Sequence, residues 1–425
     1  MARKLVRALT AAQTIVMLAA AHSVSAAGTG KTNDDDAALA HARHLLEKTI
    51  LIDGHNDLPW TLRTYAPAPA DVNAYDLRGH VSGQTDLARL RSGRVGAQFW
   101  SVYIPAEMSG GFAKTQLEQI DLARRIIARY PDVLQFAGTA AEIRAAHGAG
   151  RIASLLGIEG GVAIENSLGA LRAYYDLGVR YMTLTHNTHT DWADSATDSP
   201  PRFRGLSPFG EEVVREMNRL GMLVDLSHVS DDTMRAALRV SRAPVIFSHS
   251  SARALVDVPR NVPDDVLRKL PENGGVVMVA FVASFVDPDV AKLVEPAYAQ
   301  FQTLSRNLKT EAEREALYQK LIGRIRIPPV SIGKVADHIE HIRDTAGIDH
   351  VGIGADYDGN EYWPQGLSDV SGYPNLFAEL IRRGWSDDAL RKLAGENVLR
   401  VLERAEAVAV DLQKTTPASV RQFSK

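Results

Sequence analysis

The feature that most limits how this chain can fold is a repeated alternation of short apolar runs with longer amphipathic stretches. Each run is apolar throughout rather than at every second residue, which is typical of parallel strands buried on both faces. The eight runs are Thr49–Asp53, Val95–Tyr103, Ile152–Ile158, Val179–Thr185, Met222–Ser227, Pro244–Ser248, Gly275–Phe281 and His350–Ala355. Eight strands that alternate with helices indicate an α/β fold, a closed (β/α)8 TIM barrel more than an open doubly wound sheet.

The segments between the runs carry helical signals. Apolar residues recur at helical spacing between Thr115 and Tyr130. Ser230 and Ser386 each precede two aspartates, the pattern of a helix N-cap followed by acids that interact favourably with the helix dipole. Pro263, which two aspartates also follow, opens another helix. No G-x-G-x-x-G pattern follows the first run, which argues against a dinucleotide-binding domain.

The N-terminus has the three parts of an export signal. Arg3, Lys4 and Arg7 precede an apolar run, and the small-residue site Val24-Ser25-Ala26 follows it. This order predicts a signal peptide at residues 1–26, which is too short for a membrane span. We therefore expect a secreted or periplasmic protein.

The rest of the chain divides into three further parts. We expect a flexible N-terminal segment at 27–40, a barrel domain at 41–410 and a C-terminal tail at 411–425. Residues 283–329, between the seventh and eighth strands, form a long, charged and mostly helical insertion. At this length it is either a lid over the barrel or a solvated decoration, and the sequence does not decide between them.

The composition sets further limits on function. The chain has 425 residues, 45% of them hydrophobic, which a single barrel domain can accommodate. Its formal net charge is -3 and no basic stripe stands out, so we expect a small-molecule substrate and no nucleic acid. No apolar tail follows Val410, so no stable membrane anchor is expected. There are no cysteines, which leaves His, Asp and Glu to hold any zinc.

Ionisable residues follow six of the eight predicted strands. In a (β/α)8 barrel the C-terminal ends of the strands share one mouth, where active residues lie. His55 and Asp57 are two residues apart, so in extended chain both side chains point the same way, as two ligands of one metal must. The other ionisable residues at strand ends are Glu159, His186, His228, His249, Asp356 and Asp358.

This set of side chains predicts a metal site. One such histidine alone is more often a satisfied core residue, but many acids and imidazoles buried together leave several unpaired unless a metal is present. Imidazole and carboxylate ligands without sulfur suit Zn, Mn, Fe or Co, and nitrogen-rich sites favour zinc. The candidates exceed the three protein ligands of one catalytic ion. Two ions that share a bridging carboxylate and activate a water therefore fit better.

Seven segments, in order, resemble the membrane (renal) dipeptidase family. They are Asp53-Gly54-His55-Asn56-Asp57-Leu58-Pro59-Trp60, Gly157-Ile158-Glu159-Gly160-Gly161, Tyr181-Met182-Thr183-Leu184-Thr185-His186-Asn187, Met222-Leu223-Val224-Asp225-Leu226-Ser227-His228, Pro244-Val245-Ile246-Phe247-Ser248-His249-Ser250-Ser251, Arg260-Asn261-Val262-Pro263-Asp264-Asp265 and Gly354-Ala355-Asp356-Tyr357-Asp358-Gly359. The resemblance runs from about Leu51 to Leu402. It implies a TIM barrel of the metal-dependent hydrolase type and hydrolysis of the peptide bond of dipeptides by a hydroxide held by two zinc ions. Whether dipeptides with a C-terminal D-residue are included stays open.

The resemblance also implies roles for individual residues. His55 and Asp57 would bind the first zinc ion, and His228 and His249 the second. Glu159 would bridge the two ions and belongs to the catalytic set.

Three further residues would act on the substrate. His186 would contact it and steady the developing oxyanion, Arg260 would grip the C-terminal carboxylate, and Asp356 would meet the free amino group and relay protons. A guanidinium fork suits a carboxylate better than an ammonium does. Opposite charges at the two ends of the substrate would measure its length, because a longer peptide leaves one buried charge unpaired.

The chain departs from the family's vertebrate members in several respects. Those members link their subunits through cysteines and carry a lipid anchor, whereas this chain has no cysteine, so we expect a non-covalent homodimer. Phe285 stands where they carry a tyrosine near the substrate, and the 283–329 insertion is longer than theirs. Both differences bear on side-chain preference rather than on hydrolysis.

Three other interpretations share part of these observations. An amidohydrolase that acts on a cyclic amide, a lactone or a phosphotriester has the same barrel and His-x-Asp start. Such an enzyme usually bridges its metals through a carbamylated lysine, and no lysine ends a predicted strand. A non-enzymatic zinc-containing binding protein would lack a ligand, and none is missing. Hydrolysis of β-lactam amides overlaps with the main interpretation.

Overall fold

Parallel strands close into a barrel at the centre of the molecule. This computed structural model describes residues 29–106, 111–308 and 310–424. The strands are β1 (Leu51–Asn56), β2 (Val95–Ser101), β3 (Leu134–Phe136), β4 (Ile152–Glu159), β5 (Val179–Thr183), β6 (Leu223–Asp225), β7 (Ile246–Ser250), β8 (Val276–Val279) and β9 (Val351–Ile353). The order β2-β1-β9-β8-β7-β6-β5-β4 closes on itself because β2 also pairs with β4. All eight predicted strands form, and the closed barrel is confirmed.

The short strand β3 is an addition to the closed ring. It pairs with the first part of β4, at Leu134 with Ile152, whereas β5 pairs with the second part, at Thr183 with Glu159. The other edge of β4 is occupied by β2. The sequence did not predict this strand, because a run of three residues is too short to carry a strand pattern.

Helices fill the connections between strands. They are α1 (Thr29–Glu47), α2 (Leu58–Arg63), α3 (Leu87–Ser92), α4 (Phe112–Arg129), α5 (Ala140–Gly148), α6 (Leu168–Asp176), α7 (Pro208–Leu220), α8 (Asp231–Val240), α9 (Asp264–Leu267), α10 (Leu270–Asn273), α11 (Ala283–Val286), α12 (Pro288–Ser305), α13 (Glu311–Leu321), α14 (Ile332–Ala346), α15 (Tyr373–Arg382), α16 (Asp387–Arg391) and α17 (Asn397–Thr415). Two 3-10 helices (Gly161–Ile164 and Ile348–His350) and a π-helical turn (Lys392–Glu396) complete the list. Within the described ranges, no helix is both long and apolar enough to cross a membrane.

The helix starts predicted from capping residues are confirmed. The side chains of Ser230 and Ser386 accept hydrogen bonds from the backbone N–H groups of Thr233 and Ala389, which satisfies donors that a helix start leaves open. Pro263 directly precedes α9. The helix predicted over 115–130 is α4, which begins three residues earlier, at 112.

Both ends of the predicted barrel domain differ from the structure. Helix α1 begins at Thr29, inside the segment 27–40 predicted to be flexible, and its Ala38 and Ala42 are buried where α1 packs on α15. At the other end, α17 continues to residue 415, and Ser419 bonds through its backbone to Arg172 and Glu216. The tail 411–425 is therefore partly packed on the barrel. The predicted signal peptide, 1–26, lies outside the described residues.

The insertion at 283–329 contains α11, α12 and α13. The last two helices lie at the C-terminal mouth of the barrel, where Tyr298, Arg306 and Tyr318 line the central cavity. This position favours a lid over a solvated decoration.

A glycine makes room for one aromatic side chain inside the barrel. Gly157 of β4 pairs with Tyr181 of β5, and a Cβ at Gly157 would lie 2.0 Å from the nearest atom of the Tyr181 ring. The buried Tyr181 hydroxyl lies 2.9 Å from Nδ1 of His55. The bare backbone of Gly157 therefore lets Tyr181 reach His55.

We expect Gly157→Ala to lower the free energy of unfolding by about 1–3 kcal/mol, because the added methyl group displaces the Tyr181 ring in a close-packed core. Gly148→Ala, at the end of α5, is the matched control, since a Cβ there meets no atom within 4 Å. Its effect should stay below about 1 kcal/mol. Urea denaturation measures both, and equal losses in the two variants would contradict the packing argument.

Candidate metal centre

Four imidazoles converge on the carboxylate of Glu159, which ends β4. Nε2 of His55 lies 3.4 Å from Oε2, and Nε2 of His228, His249 and His186 lie 2.9, 3.4 and 3.7 Å from Oε1. His55 and His249 lie on β1 and β7, and the other two follow β5 and β6. Closure of the barrel therefore brings these side chains together, as the strand-end argument predicts.

The remaining predicted site residues lie beside this cluster. Oδ2 of Asp57 and Oδ1 of Asp356 are 3.2 and 4.0 Å from Nε2 of His55. Arg260, on the connection between β7 and α9, is buried, and its Nη2 donates a hydrogen bond to the His249 carbonyl at 3.3 Å. The eight residues to which the resemblance assigns a role thus lie together at one end of the barrel.

Unusual backbone conformations mark two of the strand ends. His228 and Asp356 have φ values of 67° and 70°, in the left-handed region that non-glycine residues seldom occupy. Such strained positions cluster at functional sites, where the surrounding structure holds them. Here each one lies three residues after the end of its strand, and its ionisable side chain lies in the cluster.

Three of the histidines have an oxygen partner for the ring nitrogen that faces away from Glu159. The pairs are His55 Nδ1 with Tyr181 Oη (2.9 Å), His228 Nδ1 with Asn187 Oδ1 (3.2 Å) and His249 Nδ1 with Ser248 Oγ (2.8 Å). A hydrogen on Nδ1 directed to such an oxygen leaves the Nε2 lone pair for a metal, the usual arrangement of metal-binding histidines.

The atoms that face one another fit a bound cation. His55 Nε2 and Asp57 Oδ1 are buried and make no hydrogen bond within the described residues, which is costly in a protein interior. His228 Nε2 and His249 Nε2 lie only 3.0 Å apart. Histidine and carboxylate donors without sulfur suit zinc and similar divalent ions.

Three groups of donor atoms, each within 4.8 Å of one another, could hold a metal. They are His55–Glu159–His249, Glu159–His186–His228 and His55–Asp57–Asp356. The first two share Glu159, as a bridging carboxylate requires. The grouping places His249 with His55, whereas the resemblance pairs it with His228, and His249 lies close to both.

Burial and neighbouring charges shift the ionisation of this cluster. Burial lowers the pKa of His228 and of His249 well below the usual value, so both rings are neutral. Burial alone would raise the pKa of Glu159, but the charges of His55 and His186 outweigh it and hold this pKa well below its usual value. His228 and His249 are thus neutral and Glu159 is ionised, which are the forms that bind metals.

The pKa values of Asp356 and His55 are raised, in contrast to those of Glu159, His228 and His249. Burial raises the pKa of Asp356 well above its ordinary range, and the charges of Asp57 and Glu159 add to the rise. Although burial lowers the pKa of His55, the same two carboxylates raise it well above the usual value. A carboxyl with a raised pKa can carry a proton near neutral pH, which suits it to proton transfer.

Sequence reasoning missed the buried acids that hold the strand ends. Asp53 in β1 accepts hydrogen bonds from the backbone N–H groups of His55 and Ala355, and so ties β1 to the chain after β9. Asp225 in β6 is completely buried next to the Ser248 hydroxyl. Their signal was a carboxylate inside an apolar run, which is costly to bury unless it has hydrogen-bond partners.

A cavity of about 420 Å³ opens from the cluster, a size that suits a small molecule. Its aromatic walls include Trp60, Tyr103 and Phe285, and the Arg260 guanidinium lies 5.2 Å from the centre of the Phe285 ring. None of the described residues around this cavity is a lysine. The carbamylated lysine of the amidohydrolase alternative therefore has no candidate among them.

The insertion contacts a partner of one candidate ligand and the loop that follows β5. Asn187, the partner of His228, donates a hydrogen bond through Nδ2 to the Tyr298 hydroxyl of α12 at 3.0 Å. Arg306, at the end of α12, lies 2.5 Å from Asp198. Asp198 lies in the loop that follows β5, so the insertion is bonded to that loop as well as to the partner of His228.

Comparisons with known proteins agree with this geometry. Residues 39–416 match the family model described as membrane dipeptidase (peptidase family M19). The chain is 41% identical over 388 residues to dipeptidase verJ of Clonostachys rogersoniana, a match that covers 89% of each chain.

Two solved structures extend the likeness. The probable dipeptidase PvdM from Pseudomonas aeruginosa superposes with a TM-score of 0.77 at 25% identity, over 88% of this chain and 100% of that one. A metallopeptidase from Rhodobacter sphaeroides, liganded with a phosphinate mimic of the dipeptide L-Ala-D-Ala, gives 0.69 at 28% identity, over 84% and 99% of the two chains.

We expect a chelator to lower the unfolding temperature, because an ion that binds only the native state stabilises it by about 2.7 kcal/mol at about 100 times its Kd. Thermal denaturation with and without chelator measures the shift, and added Zn²⁺ should restore it. Glu159→Gln should lose most of the chelator-dependent shift, whereas Glu272→Gln, at an exposed position, should keep it. If neither chelator nor added zinc changed the unfolding temperature of the wild type, a metal at this centre would be ruled out.

Proposed function

This chain belongs to the membrane dipeptidase family, peptidase family M19, and is therefore a metallodipeptidase. From that premise we propose that it cleaves dipeptides with the help of two zinc ions held at the barrel mouth. The observation that carries the proposal is the contact of Glu159 with imidazoles from four other strand ends. A carboxylate so surrounded could be shared by two cations.

We assign the ligands as the resemblance implies. His55 and Asp57 would hold the first zinc ion, His228 and His249 would hold the second, and Glu159 would be shared between the two. The contact of His55 with Oε2 of Glu159, and of the other two histidines with Oε1, supports this division. When bound, two zinc ions supply Lewis-acid chemistry, which lowers the pKa of a shared water and polarises the scissile carbonyl.

Arg260 binds the C-terminal carboxylate of the dipeptide in this proposal. The guanidinium is buried at the cavity, and its Nη1 makes no hydrogen bond within the described residues. A buried cationic donor without a partner is costly to the protein alone, and a substrate carboxylate would satisfy it with a charge-assisted hydrogen bond.

His186 and Asp356 act on the reacting bond. His186 lines the cavity beside Glu159, where its ring can donate to the oxygen of the scissile carbonyl as negative charge develops. Asp356 lines the same cavity, and its raised pKa suits a group that passes a proton to the leaving nitrogen. In its ionised form it would pair with the substrate amine, so that Asp356 and Arg260 would contact the two ends of a substrate with one peptide bond.

Three finer points belong to the same proposal. The mimic of L-Ala-D-Ala in the Rhodobacter sphaeroides metallopeptidase supports activity on dipeptides with a C-terminal D-residue. The N-terminal pattern supports export to the periplasm or the medium. A homodimer, if formed, is non-covalent because the chain has no cysteine.

We expect about two zinc ions per purified chain. In Glu159→Gln, the turnover of L-Ala-L-Ala and of L-Ala-D-Ala should fall by about 100-fold or more. Mass-spectrometric metal analysis and a ninhydrin assay of released amino acid measure the two effects. Glu272→Gln is again the control. Full turnover in a chain stripped of metal, or activity of Glu159→Gln within a few-fold of wild type, would refute the proposal.

Arg260→Ala should raise KM for dipeptides by about 10- to 150-fold, the cost of about 1.5–3 kcal/mol for a lost charge-assisted hydrogen bond. Arg268→Ala, an exposed arginine on the same connection, should leave KM unchanged. Steady-state kinetics on dipeptides and on the matching tripeptides separate binding from length selection. If the variant lost activity on dipeptides and tripeptides in equal proportion, Arg260 would not measure substrate length.

A further inference from the structure

We infer that Asp225 is a positioning residue that acts through Ser248 to keep the hydrogen of His249 on Nδ1, and so keeps Nε2 open to a metal. The inference rests on the proposed function in one respect, that His249 binds one of the ions. It concerns a residue that the strand-end argument did not select.

Asp225 is completely buried in β6 and accepts four hydrogen bonds. The backbone N–H groups of Ser227 and Ser248 donate to Oδ1 at 3.1 and 2.8 Å. The hydroxyls of Thr183 and Ser248 donate to Oδ2 at 2.5 and 2.6 Å. Backbone N–H groups can only donate, so Oδ1 must be an acceptor, and an ionised carboxylate accepts at both oxygens.

The direction of the hydrogen bond between Ser248 and His249 follows from the one between Ser248 and Asp225. A serine hydroxyl has a single hydrogen, and that of Ser248 is directed to Asp225 Oδ2. The Ser248 oxygen, 2.8 Å from His249 Nδ1, must therefore accept, and the hydrogen of a neutral His249 lies on Nδ1. The lone pair on Nε2 then faces Glu159 Oε1 at 3.4 Å and His228 Nε2 at 3.0 Å.

The two other histidine partners do not depend on a charge in this way. The partner of His228 is the amide oxygen of Asn187, which is a hydrogen-bond acceptor in any surroundings. The partner of His55 is the neutral phenol of Tyr181. Among the described contacts of the three histidines, only Ser248, the partner of His249, is oriented by a buried carboxylate. The tautomer of His249 is therefore open to reversal by a single isosteric change.

Asp225→Asn should produce that reversal. The two backbone N–H groups hold the amide oxygen at the Oδ1 position, so the NH₂ group takes the Oδ2 position and donates to Ser248 and Thr183. The Thr183 hydroxyl can turn to the Ile158 carbonyl at 3.3 Å, but the Ser248 hydroxyl must donate to His249 Nδ1. His249 then carries its hydrogen on Nε2, where it blocks the metal.

The test measures zinc affinity of the full-length chain by competition with a chelator. Asp225→Asn should weaken the binding of one zinc ion by about 10- to 100-fold, the range found for outer partners of metal ligands. Thr183→Val is the matched control, because it removes the other hydroxyl from the same Asp225 oxygen and leaves Ser248 in place. Equal losses in the two variants would overturn the inference.

A double substitution separates tautomer control from simple support of the fold. In Asp225→Asn/Ser248→Ala the misdirected hydroxyl is gone, so zinc should bind more tightly than to Asp225→Asn alone. Additive weakening would instead show that Asp225 only supports the structure. If Asp225→Asn does not fold, Ser248→Ala carries the test, because His249 should then show both tautomers.

The nitrogen-15 shifts of His249 in the metal-free chain report the tautomer directly, with the signal assigned by its loss in His249→Gln. We expect Nδ1–H in the wild type and Nε2–H in Asp225→Asn, and Nε2–H in the wild type would overturn the inference. This readout does not need bound zinc. A wild-type chain that binds no zinc but shows the expected switch would refute the proposed dizinc function and leave the tautomer control standing.

Discussion

The neutralisation of one buried carboxylate organises this protein. Glu159 is almost inaccessible to solvent, and a lone charge there would cost several kcal/mol. No residue near it in sequence is cationic, so its partners come from other strands: the imidazoles of His55, His186, His228 and His249. The site therefore exists only when the barrel is closed, and donors that surround a charge from several sides are already arranged as a metal requires.

Carboxylates inside the strands extend this organisation outward. Asp53 joins β1 to the chain after β9, and Asp225 joins β6 to β5 and β7, each through hydrogen bonds to groups next to a candidate ligand. The same buried acids thus maintain the alignment of neighbouring strands and the direction of the hydrogen bonds that reach the histidines. On the outer side, Asn187 lies between His228 and Tyr298 of the insertion, so the insertion also contacts these hydrogen-bonded partners of the histidines.

The sequence predicted the barrel strands and the members of the central cluster for one reason. Buried parallel strands are continuous apolar runs, and the residues that end them share a mouth, so neither prediction needs a contact map. It missed β3, whose three residues carry no pattern, and it predicted a flexible segment where the structure has the first part of α1, a helix that packs on α15. It also passed over Asp225, whose partners Thr183 and Ser248 lie 42 and 23 residues away.

By itself, then, the sequence determined the fold class and which side chains reach the active end, because hydrophobic periodicity and strand polarity are local properties of the chain. Only the tertiary structure decided how those side chains are arranged: that His249 lies between His55 and His228, that the insertion lines the cavity, and that Asp225 orients Ser248. Distances and hydrogen-bond directions depend on strand register and barrel closure, which join residues far apart in the chain and leave no trace in local pattern.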